Sequence, residues 1–165
     1  MARFKMRQKL ISLGEDFTIE NESGAKAYEV DGKVMRIRET FELKDPRGNV
    51  VATIRGKLVS IRAKMDVLRN DDVIATVTKA LFAPFRDKFK VEVAGGDDLR
   101  IDGSILDHEY TIRRDDAVVG QVSKRWFTFT DTYGIEIAPG EDEPLILSIA
   151  VALDEMAHDP DEGRG

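Results

Sequence analysis

The alternation of apolar and polar positions changes character once along this chain, close to its end. From Leu145 to Leu153 only Ser148 is polar, so apolar character surrounds a helix instead of marking one stripe. Such a helix needs protein on every side or a bilayer. A core of about ten residues rises roughly 15 Å, well short of the ~20 apolar residues of a membrane span. The pattern therefore predicts a helix over 144–157, not transmembrane, wrapped by the rest of the chain. Pro144 suits a first helical position, and Asp142 and Glu143 suit the positive end of the helix dipole.

Upstream the period is two. Arg3 to Leu13 alternates basic residues with Phe4, Met6, Gln8 and Leu10, the pattern of a half-exposed strand. Phe17-Thr-Ile19 reads as a short strand ended by Asn21-Glu-Ser-Gly24. Ala27 to Val30 and Lys33 to Ile37 flank Asp31-Gly32, which reads as a two-residue hairpin turn. Further strands are predicted from Lys88 to Val93, over Leu99-Arg-Ile101, into Ile112, and on both sides of Asp131-Thr132.

Three segments repeat one design: Leu43 to Leu58, Val67 to Leu81 and Ile112 to Trp126. Each is a strand, a polar turn carrying Asp, Asn or Gly, and a strand of two aliphatics, a small residue, then alternation. Ala52, Ala75 and Gly120 mark places where a large side chain would not fit. A meander of antiparallel hairpins follows, of about ten strands or more. Closing such a sheet removes its edges but leaves a lumen too wide for side chains alone to fill. The all-apolar helix is the filler. The expected architecture is mainly β, a closed antiparallel barrel around a C-terminal helix. One domain is expected over 1–157, with an acidic, frayed tail over 158–165.

Met6-Arg-Gln-Lys-Leu10, Tyr28-Glu-Val-Asp-Gly-Lys33, Asp107-His-Glu-Tyr110, Val122-Ser-Lys-Arg-Trp-Phe127, Asp131-Thr-Tyr-Gly-Ile-Glu-Ile137 and Ile146 to Asp154 together resemble the LURP-one-related family. That family belongs to the Tubby C-terminal-like superfamily, which includes the phospholipid scramblases. The resemblance spans roughly Ala2 to Met156. It implies a twelve-stranded barrel around a central hydrophobic helix, and it points toward phosphoinositide-like head groups as ligands, since Tubby domains bind these through a basic surface site.

Composition narrows the function. The chain has 165 residues, 42% hydrophobic and 34% charged, the make-up of an ordinary globular domain. With no cysteine, thiolate metal sites and cysteine nucleophiles are excluded. Its net charge of −6 argues against nucleic acid as a partner. The start carries no uninterrupted apolar h-region, so a cytoplasmic protein, peripheral at a membrane if it meets one, is the expectation. No cofactor is expected.

Candidate chemistry is sparse. His108 and His158 are the only histidines. His108, in Asp107-His-Glu109, could act as a base, which would make the chain an enzyme with a pocket there. A hydrogen-bonded structural histidine is the preferred reading, because no serine or second ligand completes a site. Metal binding by two histidines is disfavoured. Asp71-Asp72, Asp97-Asp98 and Asp115-Asp116 lack the alternating oxygen array of a calcium loop and read as turn residues. Basic residues are the better ligand candidates: Arg3, Lys5, Arg7 and Lys9 share one face of the first strand, Arg86, Lys88 and Lys90 share another, and Lys124-Arg125 make a third cluster. Two of these brought together by barrel closure could hold an anionic phospholipid head group. Against that stands the ordinary use of charge on outward strand positions. Trp126 and Phe127, like Phe82, Phe85 and Phe89, read as core aromatics in preference to interfacial anchors. The expected function is a non-catalytic binding or scaffold domain for anionic phospholipid or a protein partner. A lipocalin-like carrier of an apolar ligand is disfavoured, because the helix would occupy its lumen.

Overall fold

The fold, a computed structural model, describes residues 2–7, 16–33, 40–56, 64–79, 87–126 and 132–157. The side chains of Arg7, Asp16, Phe17, Lys33, Asp87, Lys88 and Ala157 lie outside that description. Among the described residues, twelve strands and one helix follow in order. They are β1 (Ala2–Arg7), β2 (Asp16–Asn21), β3 (Lys26–Lys33), β4 (Thr40–Lys44), β5 (Val50–Gly56), β6 (Lys64–Arg69), β7 (Asp72–Lys79), β8 (Asp87–Val93), β9 (Leu99–Ser104), β10 (Glu109–Arg114), β11 (Ala117–Ser123), β12 (Thr132–Ile137) and α1 (Glu143–Ala157). Each strand pairs antiparallel with its sequence neighbours, and β1 closes the barrel on β12.

Strand alternation divides inside from outside. Phe4, Met6, Val30, Phe41, Leu43, Ile54, Val67, Val77, Val91, Ile101, Ile112 and Ile135 are buried inward, while outward positions between them are largely polar. Helix α1 fills the lumen: Leu145, Ile146, Leu147, Ile149, Val151, Leu153 and Met156 are all buried. Burial of seven such side chains is worth about 10–20 kcal/mol, as large as or larger than the 5–15 kcal/mol by which a typical domain is stable. Ser148, the one polar residue of the run, donates to the Pro144 carbonyl at 2.6 Å, so it brings no unsatisfied hydroxyl inside.

The repeat has a structural cause. In β4–β5, β6–β7 and β10–β11 the register slips by one residue, leaving Val51, Ile74 and Val119 as bulges. The two aliphatics of each copy are thus a bulge and its neighbour, and the small residue follows where the strand turns back inward. At Gly120 a Cβ would meet Ile146 Cγ2 of the helix at 3.2 Å. A fourth copy was not evident from sequence. β2–β3 carries the same bulge at Ala27, and its turn repeats the hydrogen bonds of the β4–β5 turn. Asn21 Oδ1 accepts from Ser23 and Ala25 N–H as Asp45 Oδ1 accepts from Arg47 and Asn49 N–H.

Two turn readings are corrected. Asp31-Gly32 is not a hairpin turn: β3 runs straight through it, with Asp31 opposite Glu42 and Gly32 opposite Phe41. The absent Cβ of Gly32 serves a different end, since it stands inward across from a large ring. Thr132, read as part of a turn, instead opens β12, and Asp131 lies outside the described residues, while the β6–β7 and β10–β11 turn readings agree with the backbone. Asn70 and Asp71 hold φ of 52° and 66°, as a type I′ turn requires, and Asp115 holds 53°.

Hairpin turns and the entry to α1 gather at one end of the barrel, and the helix points its C-terminus toward the other. Three consecutive acids tie the entry to three strands. Arg114 of β10 grips Glu141 at 2.8 Å. Arg69 of β6 holds Asp142 with two 3.0 Å bonds. The Tyr28 hydroxyl of β3 donates to Glu143 at 3.1 Å. Asp142 also caps the helix, accepting from Leu145 N–H at 3.2 Å.

Candidate functional site

The outer surface where β1, β11 and β12 meet carries most of the predicted basic residues that the structure describes. Arg3 and Lys5 point outward from β1 because Phe4 and Met6 point in. Arg3 donates to Glu136 on the paired strand, with Nε at 2.9 Å, and its guanidinium lies 4.8 Å from the centre of the Trp126 ring. Lys5 pairs with Glu20 of β2 at 2.9 Å. Both cations are partly exposed and already matched to a carboxylate.

Lys124, Arg125 and Trp126 follow β11 at the end of the barrel toward which the helix C-terminus points. The Glu109 carboxylate shapes this corner by accepting from Ser123 Oγ at 2.9 Å and from Lys124 N–H at 3.0 Å, while Ser123 Oγ accepts from Arg125 N–H at 3.1 Å. The bonds fix the backbone, and neither the Lys124 ammonium nor the Arg125 guanidinium forms an ion pair with a described residue. Trp126 is not in the core as expected. It lies half-buried on the outside beneath Arg3. The lumen is already filled by α1, and an outward indole keeps its N–H near water while the ring is covered.

The β8 cluster does not join this corner. Five steps around the barrel separate β8 from β1. Lys90 is exposed and sits between Glu92 at 3.9 Å and Asp98 at 3.6 Å. Arg7 and Lys88 belong to β1 and β8 by backbone, but their side chains fall outside the described residues, as do Lys9 and Arg86 entirely. Phe89 is a core residue. Phe82, Phe85, Phe127, Phe129 and the 158–165 tail lie outside the described residues.

His108 takes the structural reading. It sits in the turn between β9 and β10 with φ of 52°, is 1% exposed, and places Nε2 at 2.9 Å from Asp154 Oδ1 of the helix. Its ring stacks on Tyr133 at 4.1 Å. Burial first, then the nearby Asp154 charge, pushes the Tyr110 and Tyr133 hydroxyls well above their ordinary range. An imidazole–carboxylate pair can move a proton, but both side chains of this one are buried. The sequence reading gives Asp154 no partner. Its spacing, one residue past the last aliphatic of the all-apolar run, was the available sign that it would be carried inside. Among the described residues no group of three or more His, Asp or Glu could hold a metal ion, and no helix is long and apolar enough to cross a membrane.

Comparison with known proteins agrees with this architecture. Residues 2–154 match the family described as LURP-one-related. The chain is 25% identical over 112 residues to an uncharacterised Bacillus subtilis protein, YxjI, covering 68% of this chain and 67% of that one. An X-ray structure of an Arabidopsis thaliana protein superposes with a TM-score of 0.70 at 22% identity, covering 95% of this chain and 91% of the other, which shows the same fold.

Proposed function

The chain belongs to the LURP-one-related family, and on that premise we propose that it is a non-catalytic binding module which recognises anionic phospholipid head groups from the outside of its barrel. The binding corner is Lys124, Arg125 and Trp126, with Arg3, already paired to Glu136, stacked over the indole. The observation that carries this reading is the pair Lys124 and Arg125, two adjacent cations without a carboxylate partner among the described residues, beside a half-exposed tryptophan. Cations supply the attraction to a phosphate-rich surface, about 1 kcal/mol for each basic residue near it, and an indole suits the interfacial region. The helix-filled lumen favours an outward-acting surface over a carrier, and the sealed His108 pair favours binding over catalysis. Lys5 and Lys90 are secondary contributors, because each already faces carboxylates.

Co-sedimentation with phosphatidylcholine vesicles, with and without phosphatidylinositol bisphosphate, tests the reading. Binding is expected only with the anionic lipid, and it should weaken as the screening length falls from ~10 Å at 0.1 M salt to ~3 Å at 1 M. Lys124→Gln with Arg125→Gln should remove most of it. Absence of binding at low salt, where the attraction is greatest, rejects the lipid reading and favours a protein partner.

A further inference from the structure

The outer wall formed by β4 to β7 carries a cation in an unusual setting. Arg55 of β5 stands between Thr40 of β4 and Asp66 of β6. It faces outward, since the adjacent Ile54 is wholly buried in the lumen. Its Nε is shut off from solvent and makes no hydrogen bond. Asp66, directly opposite, accepts the Thr76 hydroxyl at 2.7 Å. Lys64 lies two residues before Asp66 on the same face of β6, opposite Thr78. It is half-buried and has no carboxylate partner among the described residues.

A sheltered guanidinium N–H without an acceptor is costly and calls for an explanation. The Nε–Nη edge of arginine is the fork that binds oxyanions with two parallel hydrogen bonds. Diagonal neighbours such as Arg55 and Lys64 lie about 7–8 Å apart, with their Cβ atoms somewhat closer, so both long side chains reach one small anion between them. A phosphate monoester carries up to about two negative charges and three acceptor oxygens, enough to meet both cations and the arginine fork together.

We propose that Arg55 and Lys64 form a phosphate-monoester site on the outer barrel wall. The Arg55 Nε–Nη edge takes two oxygens and the Lys64 ammonium takes the third. β5 and β6 lie across the barrel from β11, so this site and the Lys124–Arg125 corner succeed or fail separately. A lipid head group and a soluble phosphate ester share this chemistry.

The test follows the Arg55 Nε–H resonance by NMR during titration with inositol trisphosphate. In parallel, flotation uses phosphatidylcholine vesicles with and without phosphatidylinositol bisphosphate. Wild-type protein should show a saturable shift of that resonance. Lys64→Gln and Arg55→Lys, which keeps the charge but loses the fork, should weaken trisphosphate binding roughly tenfold or more. Arg47→Gln, in the exposed β4–β5 turn at the opposite end, should change nothing. With the Lys124–Arg125 corner neutralised by Lys124→Gln and Arg125→Gln, tighter flotation than soluble binding assigns the site to a lipid head group, and soluble binding without flotation assigns it to a free phosphate ester. An Arg55 resonance that stays still at millimolar trisphosphate overturns the proposal, as does an equal loss on Arg47→Gln. Thermal melts of each variant establish that the fold is intact.

Discussion

His108 Nε2 and Asp154 Oδ1 stand 2.9 Å apart inside the protein, and the bond fastens the β9–β10 turn to the last turns of the helix. The two residues are 46 positions apart in sequence. Neither is near a surface, so the pair belongs to the architecture of the barrel.

Removing either partner leaves the other buried. Asp154→Ala and His108→Ala should each destabilise the protein by about 2–4 kcal/mol. In a double-mutant cycle the two should couple by about 1–3 kcal/mol. Strictly additive losses in urea denaturation would deny the bond any energetic weight.

Two glycines should fail for different reasons. At Gly103, with φ of +137°, a Cβ would lie 2.5 Å from the Glu109 carbonyl oxygen, a clash with backbone that cannot yield. Gly103→Ala should cost about 2 kcal/mol or more. At Gly120 the obstacle is the 3.2 Å approach to an isoleucine side chain of the helix. Gly120→Ala should cost less, and Gly120→Val about 1–3 kcal/mol. The order of midpoints in a denaturation series checks this, and Gly103→Ala proving the milder change would contradict it.

The tyrosines predict the alkaline limit of stability. Tyr28 is pushed up to about 12, by burial and then by the Glu143 carboxylate, and Tyr110 and Tyr133 are raised further. A raised acid binds its proton more tightly in the folded protein. Stability from these groups is therefore complete below about pH 10, where unfolded tyrosine titrates, and falls as pH rises from there. In an ultraviolet phenolate titration Tyr28 should ionise first in the native protein, with the other two appearing only on unfolding. Tyr28→Phe should remove the early phase. Three phenolates appearing together near pH 10 in folded protein would refute this ordering.

Ending the chain before Pro144 removes the filling of the lumen, and the remainder should not fold. The loss of about 10–20 kcal/mol of burial matches or exceeds the whole stability of an ordinary domain. Circular dichroism and melting of the 1–143 fragment check it. A soluble fragment with a cooperative transition would contradict the account.

The barrel was legible in the sequence because its two periods are so distinct. The apolar run of residues 145–153 could only be a filler, the small residues Ala52 and Ala75 are buried as read, and Gly120 marks a place where the wall meets the helix. Asp31-Gly32 misled because a dipeptide suited to a turn is also suited to a strand position facing Phe41, and local pattern does not separate them. Arg3 and Lys5 were correctly placed on one face, but their partners Glu136 and Glu20 come from other strands and depend on register. Arg55 and Lys64 drew no notice for the same reason. What distinguishes them is that the Arg55 Nε is buried without a hydrogen bond and that Lys64 has no ion-pair partner among the described residues, and only the folded sheet reveals that.

The central claim is that α1 permanently fills the lumen, which obliges the domain to act from its outer wall. Native-state hydrogen exchange of the helix amides tests it most directly. The account predicts that amides of residues 147–153 exchange only through global unfolding, as slowly as the slowest strand amides. Exchange of those amides through a lower-energy opening, while the strands stay protected, would contradict it by showing a lumen that empties without unfolding.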